Sequence, residues 1–182
     1  MKDGLRDLLE GPVIEAATGL LGRRLVSEIG GRRCEVVITE VEAYAGDGDP
    51  ASHAYRGPTP RAGVMFGPPG HLYVYRSYGL HWCLNVVAGP EGQASAVLLR
   101  GGRPVGGRMI MERRRGRKDH LVDGPGKLCQ ALGVTGEHNG MSLFEGPVRF
   151  SSHDREEGTV LSTPRIGISR ATGRPWRFVL AS

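Results

Sequence analysis

Hydrophobic and polar positions alternate with a period of two in several short runs, which glycine- and proline-rich stretches separate. Such alternation marks strands that bury one face. Residues 24 to 29 and 32 to 44 read as two strands joined at Gly30-Gly31, a two-residue turn of the kind hairpins favour. Residues 71 to 78 and 81 to 87 predict a second hairpin around Gly79-Leu80, with Tyr78 at its tip. A turn at Gly89 to Gly92 leads into a strand over 94 to 100 with Arg100 at its end, and closing strands are expected over 146 to 150, 164 to 169 and 175 to 180. Helical spacing is confined to short pieces. Pro12 opens a helix in which Val13, Ile14, Ala17, Leu20 and Leu21 recur before Gly22 stops it. A partly helical stretch follows Met109, and Asp123-Gly-Pro starts a further helix, with Lys127 to Leu132 inside it and Gly133 as its stop.

Residues 45 to 70 carry Gly, Pro and Asp too often for regular structure, so a long ordered loop is expected there, and loops of that length in a compact domain are usually functional. No internal repeat, low-complexity tract or linker divides the chain. The expected fold class is α+β: one domain over residues 1–182, built on a curved, mainly antiparallel, open-barrel-like sheet with peripheral helices and a protruding hairpin.

Composition narrows the picture little. The chain has 182 residues, 39% hydrophobic and 24% charged, the proportions of an ordinary soluble domain. No run reaches the roughly 20 apolar residues of a membrane span, and the N-terminal MKDGLRDLLE lacks the apolar block of a signal peptide, so no membrane and a cytoplasmic location are expected. Cys34, Cys83 and Cys129 are widely spaced and form no C-x-x-C pair, so they read as small buried residues rather than disulfide or zinc ligands. Charge is more informative. Residues 101 to 120 hold seven basic and two acidic groups, which equals the net +5 of the whole chain and leaves the rest neutral. A concentrated basic block suits a polyanion, although a solvated loop accounts for it equally well.

Candidate chemistry gathers between Thr39 and Arg100. Aromatic residues are only 6% of the chain, yet three of its five tyrosines lie between Tyr73 and Tyr78. By alternation Glu42 and Tyr44 share a face with Ile38 and Glu40, and Tyr73 shares one with Tyr75. A carboxylate beside flat aromatic walls makes a pocket for a planar, uncharged or cationic ring. Glu42 fits a general base that activates water. Glu40 is a rival that position alone does not separate from it. Arg100 is the natural partner of that carboxylate or that water. His53 and Tyr55, in the long loop, join Tyr44 and Tyr75 as candidate stacking surfaces. Lys127 is either an amine nucleophile or, in its Gly-Pro-Gly-Lys setting, a phosphate or solvent contact. No histidine pair has metal-ligand spacing, so no metal is expected.

The motifs V-E-A-Y at 41–44, A-S-H at 51–53, T-P-R at 59–61, M-F at 65–66 and P-G-H-L-Y-V-Y-R-S-Y-G at 69–79 closely resemble the alkyladenine (3-methyladenine, methylpurine) DNA glycosylases. So do Asn85, V-L-L-R at 97–100 and G-P-G-K-L-C-Q-A-L at 124–132. The resemblance runs from about residue 10 to the C-terminus. It implies hydrolysis of the N-glycosidic bond of alkylated and some deaminated purines in double-stranded DNA, with Glu42 as the base and Arg100 placing the water. It further implies Tyr44, His53 and Tyr75 as walls against the extruded base. Asn85 would lie at the pocket floor, and Tyr78 would be the wedge that fills the vacated stack. Pocket shape around His53, Leu98 and Asn85 is expected to set lesion preference. No cofactor, no metal and no lysine lyase step are implied, and a monomer is expected. A non-catalytic binder of damaged DNA is the competing reading, though such a binder has no need of Glu42 and Arg100.

Overall fold

The structure, a computed structural model, describes residues 2–152 and 155–181. In chain order its helices and strands are α1 (Lys2–Glu10), α2 (Val13–Leu20), β1 (Arg24–Ser27), β2 (Cys34–Ala45), β3 (Leu72–Ser77), β4 (His81–Val87), β5 (Ser95–Gly106), α3 (Arg108–Arg115), α4 (Pro125–Leu132), β6 (Val148–Phe150), β7 (Thr159–Thr163) and β8 (Arg177–Ala181). All strand pairings are antiparallel and follow the order β3-β4-β5-β2-β1-β6, with β7 on β8 and β8 on β2. The architecture is α+β, a curled antiparallel sheet in a half-barrel, as expected.

Strand β2 is the junction. Its first half pairs with β1 through Cys34 to Val37, and its second half pairs with β8 through Glu40 to Glu42. Along its other edge it runs the length of β5. The register between β2 and β5 slips once at Glu35/Val36 and then, in mid-strand, slips and recovers: Ile38 opposes Gly102, Glu40 opposes Gly101, and Val41 opposes Leu99. At the mid-strand slip Thr39 and Arg100 are therefore left unpaired, one on each strand. Bulges of this kind bend a strand and re-aim its side chains.

The bulges explain a phase change that alternation does not foresee. Val36 and Ile38 lie in the main core, and so do Val41 and Ala43. Two residues three positions apart on one strand share a face only when an extra residue intervenes. Ile38 therefore faces the core, away from Glu42, and the expectation that the two share a face fails. For the same reason Arg100 does not end its strand; β5 continues to Gly106.

The core side of the sheet buries Val36, Ile38, Val74, Leu84, Val86, Val97 and Leu99 against Leu20, Met111, Leu128 and Leu132 of the helices. Burial of each such side chain contributes about 1.5–3 kcal/mol. On the opposite face Tyr73, Val87, Ala94 and Ala96 pack with Ala54, Ala62 and Met65 of the long loop in a smaller cluster. The loop is ordered, as predicted, through tight turns such as Ser52 N–H to Asp49 O at 2.9 Å and a short 3-10 turn at Gly63–Phe66.

Other differences are local. The first hairpin pairs as predicted, but its connection spans residues 28 to 33, because Ile29–Gly31 forms a 3-10 turn. Helix α1 escapes the sequence reading because Gly4 lowers its helical propensity; it is held by Leu9 in the core and by Leu8 over Gly19 of α2. The strand expected at 164 to 169 is an irregular loop, and the strand before it is Thr159–Thr163. The basic block is largely tied down. Arg114 donates to the carbonyls of Ala131 at 3.1 Å and Ile29 at 3.1 Å, while Arg103, Arg108 and Arg117 pair with Glu156, Glu112 and Asp119.

Gly107, which precedes α3, has φ +71°, and a Cβ there would collide with the Arg33 carbonyl. Gly107→Ala combines left-handed strain of about 1–2 kcal/mol with that overlap. A fall in Tm on the order of 5–15 °C is expected in thermal unfolding; an unchanged Tm would contradict the packing of α3 on β2.

Candidate active site

The strand register lines up one transverse row of side chains. Tyr73 on β3 opposes Asn85 on β4, Asn85 opposes Leu98 on β5, and Leu98 opposes Glu42 on β2. The row lies on the face opposite the main core, and the next row adds Tyr75 opposite Cys83. Above these residues is a cavity of about 620 Å³, large enough for a nucleobase or a small drug-like ring. Its wall includes Tyr44, His53, Tyr75, Tyr78, Asn85, Leu98 and Arg100. Glu42, the candidate base, is not part of that wall, and neither are Glu40, Tyr55 and Lys127.

Glu42 stands directly behind it, with no solvent exposure. Its Oε2 accepts from the Tyr44 hydroxyl at 2.7 Å, and its Oε1 accepts from the Ile166 N–H at 2.7 Å. Arg100 Nη1 lies 3.4 Å from the same Oε1. All three partners line the cavity, so the carboxylate is one side chain deep. A carboxylate has about four lone-pair sites; with two direct hydrogen-bond donors, acceptor capacity remains. Burial, and then the neighbouring Glu42, push the Tyr44 phenol well above its ordinary range, so it stays protonated and donating.

Arg100 also donates from Nε to Glu40 Oε1 at 2.9 Å, and Arg177 donates to that oxygen at 2.7 Å. Burial works against ionisation of Glu40, but Arg177 and Arg100 outweigh it and hold its carboxyl below the usual range. The two rivals on β2 are thereby separated. Glu40 holds Arg100 from mid-strand, between β5 and β8, while Glu42 stands against the cavity.

The aromatic wall is built from edge-on contacts. His53 meets Tyr75 with ring centroids 4.6 Å apart at 83°, and Tyr73 at 6.2 Å and 90°. His53 Nδ1 and the Tyr73 hydroxyl are 3.0 Å apart. Edge-to-face packing of this kind adds about 0.5–1.5 kcal/mol beyond burial and fixes the rings. Arg61, from the T-P-R motif, lies 5.0 Å over the Tyr75 ring at the cavity edge. Burial and the Arg61 charge both lower the His53 pKa, so this imidazole is neutral near pH 7. At the floor, Asn85 donates to the Tyr73 carbonyl at 3.0 Å, which fixes its amide.

Tyr78 occupies the hairpin tip, at the mouth of the cavity and 89% exposed. Ser77 opposite His81 closes a three-residue loop in which Tyr78 has φ +50°. Leu80 beside it is 71% exposed. Large apolar side chains on a strained, solvent-facing tip are what a wedge for stacked rings requires. Tyr55 is exposed and lies outside this cavity, on the wall of a second one, and Lys127 pairs with Asp123 at 2.9 Å. Among the described residues, no group of three or more His, Cys, Asp or Glu is placed to hold a metal ion.

Sequence reasoning did not single out Tyr73, Arg61 or Ile166 as site residues, nor the ion pair of Asp49 and Arg165 behind them. Ile166 was hidden because Arg-Ile-Gly-Ile reads as a strand, and Asp49 because Asp-Gly-Asp-Pro reads as a turn.

The family model for methylpurine-DNA glycosylases matches residues 7–182. Among curated relatives, one from Nitrosospira multiformis is 48% identical over 92% of this chain and 85% of its own length. Another from Rhodopseudomonas palustris is 53% identical over 92% and 82%, and one from Frankia casuarinae is 50% identical over 98% and 89%. Each is provisionally named a 3-methyladenine DNA glycosylase. The fold, the base-sized cavity and these likenesses together define a DNA glycosylase, an enzyme of DNA repair. Within that class, the chain belongs to the methylpurine-DNA glycosylase family.

The depressed pKa of His53 gives a direct test. A neutral imidazole favoured by the fold contributes stability that is present above the ordinary value of 6.5 and is lost as pH falls through the lower folded value. In an NMR titration the His53 midpoint should lie below 6.5, and Arg61→Gln should raise it without fully restoring it, because burial is the larger cause. A midpoint at or above 6.5 in the unmodified protein would rule out this packing.

Proposed function

We propose that this enzyme hydrolyses the N-glycosidic bond of alkylated and deaminated purines extruded from duplex DNA, with Glu42 activating the attacking water and Arg100 placing it. The observation that carries the reading is the braced, buried Glu42 carboxylate directly behind a base-sized cavity walled by Tyr44, His53 and Tyr75. A water between Glu42 and Arg100 would give a proton to the carboxylate as its oxygen attacks the sugar carbon. The C–N bond breaks with its electron pair passing to the departing base.

Physical chemistry favours cationic lesions in such a site. A purine alkylated at a ring nitrogen carries positive charge, which the faces of electron-rich rings attract by roughly 0.5–2 kcal/mol. It also leaves as a neutral molecule, with no separate acid needed. Extrusion of a base from the stack costs a few kcal/mol, least for damaged or mispaired bases, and Tyr78 would offset part of that cost by filling the gap. Asn85, held on the Tyr73 carbonyl, would crowd the 2-amino group of guanine at the pocket floor. All of these side chains come from a single chain, so the reading works for a monomer.

Glu42→Gln should reduce base release from an alkylated duplex by about 10²–10⁴-fold while leaving DNA binding near its original level. Undiminished release of the base would remove Glu42 from the mechanism. Tyr78→Ser should slow excision roughly tenfold more on a paired lesion than on an unpaired one, a difference of about 1.4 kcal/mol. Equal losses on the two substrates would contradict the wedge.

A further inference from the structure

A second ionic group stands behind Glu42 and does not line the cavity. The side chains of Asp49 and Arg165 have no solvent exposure and form a forked pair, Nη1 to Oδ2 at 2.7 Å and Nη2 to Oδ1 at 2.8 Å. Arg165 Nη1 also donates to the Ala43 carbonyl at 3.0 Å, on the strand that carries Glu42. The guanidinium lies 4.6 Å over the Tyr44 ring and 5.2 Å over Trp176. Asp49 accepts from the N–H groups of Ala45 at 3.1 Å and Ala51 at 3.3 Å, which ties down the loop leading to His53. One pair thus joins β2, the His53 loop and the segment that begins at Arg165 and runs on as the cavity wall from Ile166 to Arg170.

Such a pair is a poor device for stability alone. Desolvating two charges often costs more than their attraction returns, and well-packed apolar side chains frequently do as well. Here the imbalance is larger, because Arg165 Nε is buried without a hydrogen-bond partner. What the pair does supply is position. Arg165 directly precedes Ile166, whose N–H is one of the two direct donors to Glu42, and its guanidinium packs on Tyr44, which is the other.

We infer that the Asp49–Arg165 pair is a positioning device for the candidate base, locking the 164–170 segment and Tyr44 so that both direct donors stay on the Glu42 carboxylate. The inference rests on the reading of Glu42 as the base. The titratable and charged groups around that carboxylate are Tyr44 and Glu40 on β2, Arg100 on β5, Arg177 on β8 and Arg165 itself. Loosening the Ile166 N–H or Tyr44 therefore lets the carboxylate leave the geometry that serves the water, which slows the chemical step without weakening the grip on DNA.

Single-turnover release of methylated purines from a methylated duplex, with duplex affinity and folded fraction measured on the same samples, tests this. Asp49→Asn keeps the shape but removes the charge that holds Arg165, and Arg165→Lys keeps the charge but loses the fork. Both should lower the single-turnover rate about ten- to a hundredfold, with duplex binding and the folded fraction close to the original level. A rate that falls only as the folded fraction falls would make the pair purely structural and overturn the inference. If either variant does not fold, Ile166→Pro removes the single N–H and leaves both partners in place; an undiminished rate there overturns the inference equally. Glu42→Gln run alongside separates the two levels. Full release by that variant defeats the base assignment, whereas an inactive Glu42→Gln beside an Asp49→Asn with the original rate defeats only the brace.

Discussion

A carboxylate removed from water must have its oxygens solvated by protein, and Glu42 draws three partners to do so, two of them from distant parts of the chain. Tyr44 is its near neighbour on β2, Arg100 arrives across the sheet from β5, and Ile166 donates from a loop more than a hundred residues away. Behind Ile166, Arg165 is itself buried and needs Asp49. Each charge placed in the interior has recruited the next. The outcome is a chain of polar contacts from β2 through the far loop and back to the segment before His53. Removal of any link leaves a buried group without its partner, which is the costly condition for such networks.

The sheet makes this arrangement possible by serving two purposes on its two faces. One face is an ordinary core of Val, Leu and Ile against helices. The other carries Tyr73, Asn85, Leu98 and Glu42 in one row, with the aromatic wall above. A flat sheet would spread such a row; a curled one gathers it around a cavity. The paired bulges at Thr39 and Arg100 sit where that curl is needed, and they let Glu42 face the cavity while Ile38 keeps its place in the core. Arg100 lines the cavity by plain alternation from Leu98.

The arginines of this protein divide by the same logic. Arg100 and Arg165 serve the region of the carboxylate, and Arg114 braces α3 against α4 and the turn after β1. The basic block that stands out in the sequence is thus partly internal scaffolding. Charge counted along a chain does not distinguish a cation that faces solvent from one already engaged with carbonyls.

What the sequence by itself determined was whatever depends on near neighbours. Alternation located β1 to β4, the glycine and proline signals ended α2 and α4, and the hairpin tip put Tyr78 where it is. The motif residues Tyr44, His53, Tyr75, Asn85, Leu98 and Arg100 all line one cavity. Tertiary structure alone decided the rest. It switched the phase of β2 at Thr39 and extended β5 past Arg100. It made a cavity wall of the expected strand at 164–169, and it chose Glu40 to hold Arg100 while Glu42 took the position behind the cavity. Each of these is settled by a partner far away in sequence: a bulge exists only relative to the strand it mismatches, and a buried carboxylate is tolerated only where distant donors converge on it.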